Sequence, residues 1–363
     1  MKKRSVAILF GGVSSEYEVS LVSAASVIRN TPADLYDVTM VGITRDGRWR
    51  RYTGPVELIE QDRWADSSYV QPAFLSPDRG HHGLVVPNES GCEIIRLDAV
   101  FPVLHGKNGE DGTIQGLFEL AGVPYVGCGP LASAVCMDKA VTHTILAEAG
   151  IPQARWQTVL ARDFQSGGFT ALEERLRGAL GYPMFVKPAN AGSSVGISKA
   201  HGPDELRAAL ALAFQHDCKA VVEEFIDGSE VESAVLGNDQ PVVSVLGEIV
   251  PCNEFYDYEA KYQNDATELH IPARIPDETA ALIRETAARA YRALGCSGLT
   301  RIDFFVKRDG TGIVLNEPNT IPGFTSISMY PKLMAASGVP YSELIDRLFT
   351  LAIERMAQTS TEV

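Results

Sequence analysis

The sequence has no apolar run that approaches the roughly 20 residues a helix needs to cross a bilayer. The apolar residues 6–10 follow three basic residues, as in a secretory signal. That run is nevertheless shorter than the about 7–15 residues of such a signal, and it ends at Gly11. We therefore expect a cytoplasmic protein that has no membrane partner.

Cysteine pairs and an excess of positive charge are also lacking. None of the six cysteines belongs to a C-x-x-C pair, which predicts reduced thiols in a cytoplasmic protein. The formal net charge of −14 argues against a nucleic-acid partner, so local cations and backbone amides must hold any anionic substrate. With 363 residues, 45% hydrophobic and 21% charged, the chain predicts a globular protein of roughly two or three domains.

Two common nucleotide-binding fingerprints are absent. Residues 6–10 read as a buried parallel strand followed by a glycine turn, but the spacing is not G-x-G-x-x-G, which disfavours a dinucleotide oxidoreductase. The P-loop is absent because Lys187 precedes the loop at Gly192. A lysine that ends a buried strand before a Gly-Ser loop still suits phosphate binding, since the loop amides can close on phosphate oxygens. The alternative is an ordinary hairpin.

What the sequence does contain is an acidic hairpin at residues 298–323, with an Asp-Gly turn between two alternating runs. A turn centred on Gly310 pairs position 303 with 317 and position 301 with 319. The predicted patch holds Arg301, Asp303, Glu317 and Asn319, and the alternation places Ile313 and Leu315 on the face of Glu317. Two carboxylates this close need a cation between them, and their oxygens suit Mg²⁺. The alternative is a surface hairpin with solvated charges that Arg301 partly neutralises.

Other polar side chains lie where an α/β sheet binds ligands. Glu16 follows the first strand and either holds a ligand ammonium or is only a helix N-terminal acid, and the residues alone favour the second interpretation. His105 ends a strand predicted over 99–104, where it either contacts a ligand or caps the next loop. A strand and linker near Glu223 offer backbone groups for a flat base, and the aromatic, charged residues 254–262 predict a lid.

Eight motifs occur in order along the chain: GGVSSEYEVSL, HGKNGEDGTIQG, MDK, VKPANAGSSVGI, VEEFIDGSEVE, FYDYEAKY, GLTRIDFF and NEPNTIPGFTSISMYP. Together they resemble the D-alanine–D-alanine ligases of the ATP-grasp superfamily. The resemblance implies an α/β protein with the ATP-grasp fold, in which ATP lies between two antiparallel sheets of the central and C-terminal domains. The three implied domains are an N-terminal Rossmann-like substrate domain at 1–135 with an insertion at 45–97, a central domain at 136–226, and a C-terminal catalytic and magnesium-binding domain at 227–363.

The resemblance also implies roles for individual residues. The implied ATP-binding residues are Lys139, Lys187, Gly192, Ser194, Glu223, Ile226, Glu230 and Lys261. The implied ligands of two Mg²⁺ ions, for which Mn²⁺ is a substitute, are Asp303, Glu317 and Asn319. The first D-alanine is assigned to Glu16, His105, Ser193 and Tyr262, the second to Ser328 and Met329, and the tetrahedral oxyanion to Arg301 and the Gly323 amide.

The implied activity is the ATP-dependent joining of two D-alanines through an acyl phosphate, for peptidoglycan precursor synthesis by a cytoplasmic homodimer. Ile327 stands where many family members have histidine, and Glu224 where some have lysine. Tyr262 disfavours formation of the D-lactate ester, whereas Met329 leaves D-serine open as the second substrate. A non-catalytic nucleotide-binding protein with the same fold is a third interpretation. The residues do not indicate which group serves as the base for the incoming amine.

Overall fold

The computed structural model describes residues 2–165, 168–250 and 268–360. In chain order, the strands are β1 (Arg4–Gly11), β2 (Tyr36–Ile43), β3 (Trp49–Tyr52), β4 (Val70–Pro72), β5 (Phe74–Leu75), β6 (Gly83–Asn88), β7 (Gly91–Arg96), β8 (Ala99–Pro102), β9 (Trp156–Leu160), β10 (Met184–Pro188), β11 (Ser198–Ala200), β12 (Lys219–Glu224), β13 (Gly228–Gly237), β14 (Val242–Val250), β15 (Glu268–His270), β16 (Gly298–Lys307) and β17 (Ile313–Asn319).

The helices are α1 (Tyr17–Asn30), α2 (Val56–Glu60), α3 (Thr113–Ala121), α4 (Pro130–Met137), α5 (Lys139–Glu148), α6 (Ala161–Gln165), α7 (Phe169–Leu180), α8 (Pro203–Ala213), α9 (Asp277–Ala293), α10 (Met329–Ala336) and α11 (Tyr341–Ser360). Within the described ranges, none of these helices combines the length and the apolar character that a membrane span requires.

The first sheet has the strand order β4-β3-β2-β1-β8. Its strands β2, β1 and β8 are parallel, as the apolar run at residues 6–10 predicted. Those five residues are at most 1% exposed, because a parallel sheet is covered on both faces. A separate antiparallel sheet, β5-β6-β7, forms within the segment predicted as an insertion.

The turn between β1 and α1 fixes the position of Glu16. Gly11 has a φ of 87° and Gly12 a φ of 102°, both in the left-handed region that favours glycine. The amide of Gly11 donates to Oγ of Ser20 at 2.8 Å, and a Cβ added at Gly11 would lie 2.2 Å from the carbonyl oxygen of Ile43 in β2. The chain therefore turns sharply, and α1 begins directly after Glu16.

Two antiparallel sheets follow, with the orders β11-β10-β12-β9 and β15-β14-β13-β16-β17. One face of the first packs on α7 and α8 through Leu176 and Leu210. One face of the second packs on α9 through Ile283 and Tyr291. Side chains alternate along a strand, so the charged residues of β13 and β16, such as Asp303, lie on the face opposite α9.

Helix α11 returns from the C-terminal part of the chain to cover the first sheet. The ring of Phe349 lies 4.9 Å from the ring of Tyr36 and 6.1 Å from that of Phe101, measured between centroids. The hydroxyl of Tyr36 donates to Asp346 at 2.7 Å. Early and late segments of the chain therefore share one hydrophobic core.

The hairpin of β16 and β17 has the predicted register, with Asp303 opposite Glu317 and Arg301 opposite Asn319. The prediction that Ile313 and Leu315 share the face of Glu317 is wrong. Phe304 pairs with Leu315, so Asn316 is an extra residue in β17, and this bulge reverses the alternation. Ile313 and Leu315 therefore lie in the core against α9.

The glycine turn gives a prediction with a matched control. Gly12→Ala adds a Cβ whose nearest neighbour is 3.7 Å away, so it should cost only the backbone strain, about 1–2 kcal/mol. Gly11→Ala adds the same strain and a clash with the carbonyl oxygen of Ile43, so it should cost a further ~1–3 kcal/mol in the free energy of unfolding. Urea unfolding followed by circular dichroism measures both values, and equal losses would contradict the clash.

Candidate active site

The centre of the site is the face of the second antiparallel sheet that carries Arg301. Its Nε and Nη2 atoms donate to the two carboxylate oxygens of Asp303 at 2.8 and 2.7 Å. Nδ2 of Asn319 donates to Asp303 as well, at 3.0 Å. Asp303 is 1% exposed, so this bidentate pair is nearly free of solvent. The predicted patch therefore exists, and it is not a solvated surface hairpin.

Two further acids on β13 share this face. Oε2 of Glu232 lies 3.2 Å from Nε of Arg301, and Glu232 is 3% exposed. Glu230, Glu232 and Asp303 each offer a carboxylate oxygen within 4.8 Å of the others. Burial alone would lower the pKa of Arg301, but the charges of Asp303 and Glu232 reverse this effect and hold that pKa above its usual range. Hard oxygen donors at this spacing fit a divalent cation such as Mg²⁺.

Lys139 faces the acidic hairpin from the first residue of α5. Its Nζ donates to the carbonyl oxygen of Ala191 at 2.8 Å and lies 3.8 Å from Oε2 of Glu317. The helix start is fixed by Asp138, whose side chain accepts from the amides of Ala140 and Val141. A cation is thus held between the glycine-rich loop and the predicted metal ligands.

Lys187 and Glu223 form a second ion pair, between β10 and β12. Nζ of Lys187 lies 2.7 Å from Oε2 of Glu223 and 3.4 Å from Oδ1 of Asn316, the bulged residue of β17. Burial would raise the pKa of Glu223, but the charge of Lys187 and a hydrogen bond from His143 lower it to about 2. The lysine predicted for phosphate binding and the acid predicted for adenine binding are therefore direct partners.

Glu16 lies at the N-terminal end of α1, but its side chain makes no hydrogen bond to the helix amides. It accepts a short hydrogen bond from Oγ of Ser193 in the glycine-rich loop. A Cβ added at Gly106 or at Gly192 would collide with its carboxylate. Both glycines therefore allow backbone to approach the acid, which is only 7% exposed.

His105 is buried beside Glu16 and has a partner at each ring nitrogen. Nδ1 lies 3.0 Å from the carbonyl oxygen of Ile321, and Nε2 lies 3.2 Å from Oγ of Ser23. Burial lowers the pKa of His105, which favours a neutral ring that donates from Nδ1 and accepts from Ser23 at Nε2. His105 therefore connects the first sheet to the loop after β17.

Glu110 was missed by the sequence analysis. Its carboxylate accepts from the amides of Gly106 at 2.8 Å and Ile321 at 3.0 Å. Burial and the nearby charge of Glu16 raise the pKa of Glu110 to about 8. Its place in the motif HGKNGEDGTIQG was a signal, but the motif does not show which of its two acids turns inward.

The start of α10 forms the far wall of the cleft. Oγ of Ser328 accepts from the amide of Thr325 at 3.0 Å and lies 2.7 Å from that residue's hydroxyl. Met329 is 7% exposed, whereas Ile327 is 65% exposed. Lys332, one helical turn further, also lines the cleft, and the sequence analysis did not single it out.

A single cleft of about 320 Å³ collects most of the predicted site residues. Those that line it are Glu16, His105, Lys139, Gly192, Ser193, Arg301, Glu317, Asn319, Gly323, Ser328 and Met329. Lys187, Ser194, Glu223, Ile226, Glu230 and Asp303 are not part of this lining. Lys261 and Tyr262, with the rest of the predicted lid, lie outside the described residues.

Two family models and several known proteins match this sequence. A family model described as D-ala D-ala ligase N-terminus matches residues 5–128, and one described as D-ala D-ala ligase C-terminus matches residues 145–350. A D-alanine–D-alanine ligase of Caldicellulosiruptor bescii is 50% identical over 99% of this chain and 97% of its own length. One of Ruminiclostridium cellulolyticum is 52% identical over 100% of this chain and 98% of its own.

Solved structures of ligases have the same fold as this chain over nearly its whole length. VanG D-Ala:D-Ser ligase from Enterococcus faecalis superposes with a TM-score of 0.87 at 45% identity, covering 97% of this chain and 100% of that one. The D-alanine–D-alanine ligase from Coxiella burnetii superposes with a TM-score of 0.84 at 33% identity, covering 99% and 97%. The fold is the ATP-grasp fold, and the chain belongs to the D-alanine–D-alanine ligase family.

Proposed function

We propose that the chain joins two molecules of D-alanine in this cleft, with cleavage of ATP to ADP and phosphate, for peptidoglycan precursor synthesis. As a member of its family, it is an ATP-dependent ligase. One observation carries the proposal: three groups suited to this reaction line the same cleft. They are Glu16 for an ammonium group, Lys139 for phosphate oxygens and Arg301 for an oxyanion. We further propose that the enzyme is a cytoplasmic homodimer, as the family resemblance implies.

We assign the nucleotide-binding residues to two groups, one for the phosphates and one for the adenosine end. Lys139 and Lys187 would contact the phosphates, under the loop that contains Gly192 and Ser194. The adenosine end would contact Glu223, the backbone at Ile226 and, at the ribose, Glu230, with Lys261 as a further ATP-binding residue. Asp303, Glu317 and Asn319 would hold two Mg²⁺ ions, or Mn²⁺ in their place, which supply neutralising charge during phosphoryl transfer.

For the first amino acid, Glu16 offers a negative charge to the ammonium group. Ser193 already donates to Glu16, so it holds the loop over this position. His105 would lie near the carboxylate, and Tyr262 would hydrogen-bond nearby. Gly106 and Gly192 have no side chain, so their backbone can lie close to the carboxylate of Glu16.

The chemistry has two steps. A carboxylate oxygen of the first D-alanine attacks the γ-phosphorus of ATP, and ADP leaves, giving an acyl phosphate. The neutral amine of the second D-alanine then attacks the acyl carbon; the tetrahedral intermediate expels phosphate and loses a proton to form the amide. Arg301 and the Gly323 amide would donate to its oxyanion, and one such donor is worth about 10²–10³ in rate. Water must be excluded because it would hydrolyse the acyl phosphate.

The second amino acid would place its carboxylate at Ser328 and the Met329 amide, at the N-terminal end of α10. Acidic side chains also line this cleft, so the carboxylate needs a cation. Arg301 is already assigned to the oxyanion, and Lys139 to the phosphates of ATP. Among the described residues, no carboxylate pairs with Lys332, which lines the same cleft. We assign the second carboxylate to Lys332 together with Ser328.

The reaction is tested by phosphate release from Mg-ATP with D-alanine alone, D-alanine plus D-serine, and D-alanine plus D-lactate, with products identified by mass. Release with D-alanine alone and formation of the dipeptide are expected. Turnover that requires D-serine would favour a D-alanine–D-serine ligase instead, an alternative supported by the 45% identity to VanG. ATP binding without any turnover would contradict the proposal and leave a non-catalytic nucleotide-binding protein.

Glu317→Ala should lower D-alanine-dependent phosphate release roughly a hundredfold or more, because several kcal/mol of charge stabilisation are lost with the metal ligand. Asp309→Ala is the control on the same hairpin, since Asp309 lies at its exposed tip and bonds only Thr311 among the described residues. The control should keep full activity. An active Glu317→Ala enzyme would rule out the metal assignment.

Lys332→Met should raise KM for the second D-alanine roughly tenfold, the value of one charge-assisted hydrogen bond, and leave KM for ATP unchanged. D-alaninamide, which has no carboxylate, provides a second readout: the preference for D-alanine over the amide as acceptor should shrink in the variant. Lys307→Met, at the end of β16 and outside the cleft lining, should alter neither value. An unchanged preference in Lys332→Met would refute the assignment.

A further inference from the structure

A buried histidine that the proposed mechanism does not use lies behind Glu223. His143, on α5, is 4% exposed. Its Nε2 lies 3.1 Å from Oε1 of Glu223, and its Nδ1 lies 2.6 Å from Oε1 of Gln153. Each ring nitrogen therefore has one partner within hydrogen-bond distance.

Both of those partners are acceptors. The carboxylate of Glu223 pairs with the ammonium group of Lys187 at 2.7 Å, and an ionised carboxylate offers only lone pairs. The amide of Gln153 is held in one orientation, since its Nε2 donates to the carbonyl oxygen of His143 at 2.8 Å. Turning that amide over would place two oxygens against each other, so its Oε1 must face the ring.

A neutral imidazole has one donor nitrogen and one acceptor nitrogen, so it would direct a lone pair at one of these oxygens. An imidazolium donates at both positions and satisfies both. The indole of Trp156 lies parallel to the ring, with centroids 5.0 Å apart and planes 13° apart, and an aromatic face stabilises a cation. Hydrogen-bond complementarity and stacking thus agree on a ring that donates from both nitrogens.

We propose that His143 donates from both ring nitrogens, to Glu223 and to Gln153, and is a positioning residue for the nucleotide site. It holds one oxygen of Glu223, while Lys187 holds the other at 2.7 Å. The carboxylate is then fixed in direction by two hydrogen-bond donors and keeps its charge for hydrogen bonding to the nucleotide. The inference rests on the proposed function only in naming ATP as the ligand that Glu223 serves.

The protonation state is tested on the unmodified enzyme by ¹⁵N NMR of the histidine rings at pH 7. The signal of His143, assigned by its loss in His143→Gln or His143→Lys, should show both ring nitrogens protonated. One protonated and one unprotonated nitrogen would overturn the proposal. This measurement needs no turnover, so its result does not depend on whether the ligase reaction is observed.

The positioning role is tested by Mg-ADP binding and by separate KM values for ATP and D-alanine. His143→Gln, which cannot donate to both partners, should weaken Mg-ADP binding roughly tenfold and leave KM for D-alanine unchanged. His143→Lys restores a cation and should recover part of the loss. His201→Gln, at an exposed histidine, is the control and should bind normally. Unchanged binding in His143→Gln, or equal losses in the Gln and Lys variants, would refute the role.

Discussion

The bidentate ion pair between Arg301 and Asp303 is the contact on which the rest of the cleft depends. Glu230, Glu232 and Asp303 crowd one sheet face in a chain that already carries a net charge of −14. Buried carboxylates at this separation repel strongly in a medium of low dielectric constant. One guanidinium touches two of them and offsets that repulsion, while the strand register holds all three in place. The site is therefore kept together by charge as much as by packing.

Local patterning predicted the parts of this site that depend on local geometry. An Asp-Gly turn and a period of two were enough to place Asp303 opposite Glu317, because cross-strand distance follows from the turn. The bulge at Asn316 has no such signature, since an extra residue changes neither composition nor turn. It moved Ile313 and Leu315 to the opposite face and brought Asn316 towards Lys187. One extra residue thus reversed which face of the sheet the first half of β17 presents.

Other features were beyond local reasoning because their partners are distant in sequence. Glu110 binds the amide of Ile321, and His143 binds Glu223, contacts that only tertiary folding creates. A sequence shows that an acid or a histidine is present, but not which one will be buried or what will face it. The antiparallel sheets and the family were predictable, since eight motifs in order are a global pattern. The domain bounds and the roles of single residues stay predictions.

The packing of α11 on the first sheet also bears on how the chain is made. The face that carries Tyr36 and Phe101 is complete only when Phe349 lies on it. A ribosome adds about 5–20 residues per second, so that face waits uncovered for tens of seconds while some three hundred residues are added. The amino-terminal part cannot finish its core until α11 has been made. Its exposed aromatic surface is what chaperones would meet first, and the arrival of α11 is the event that closes it.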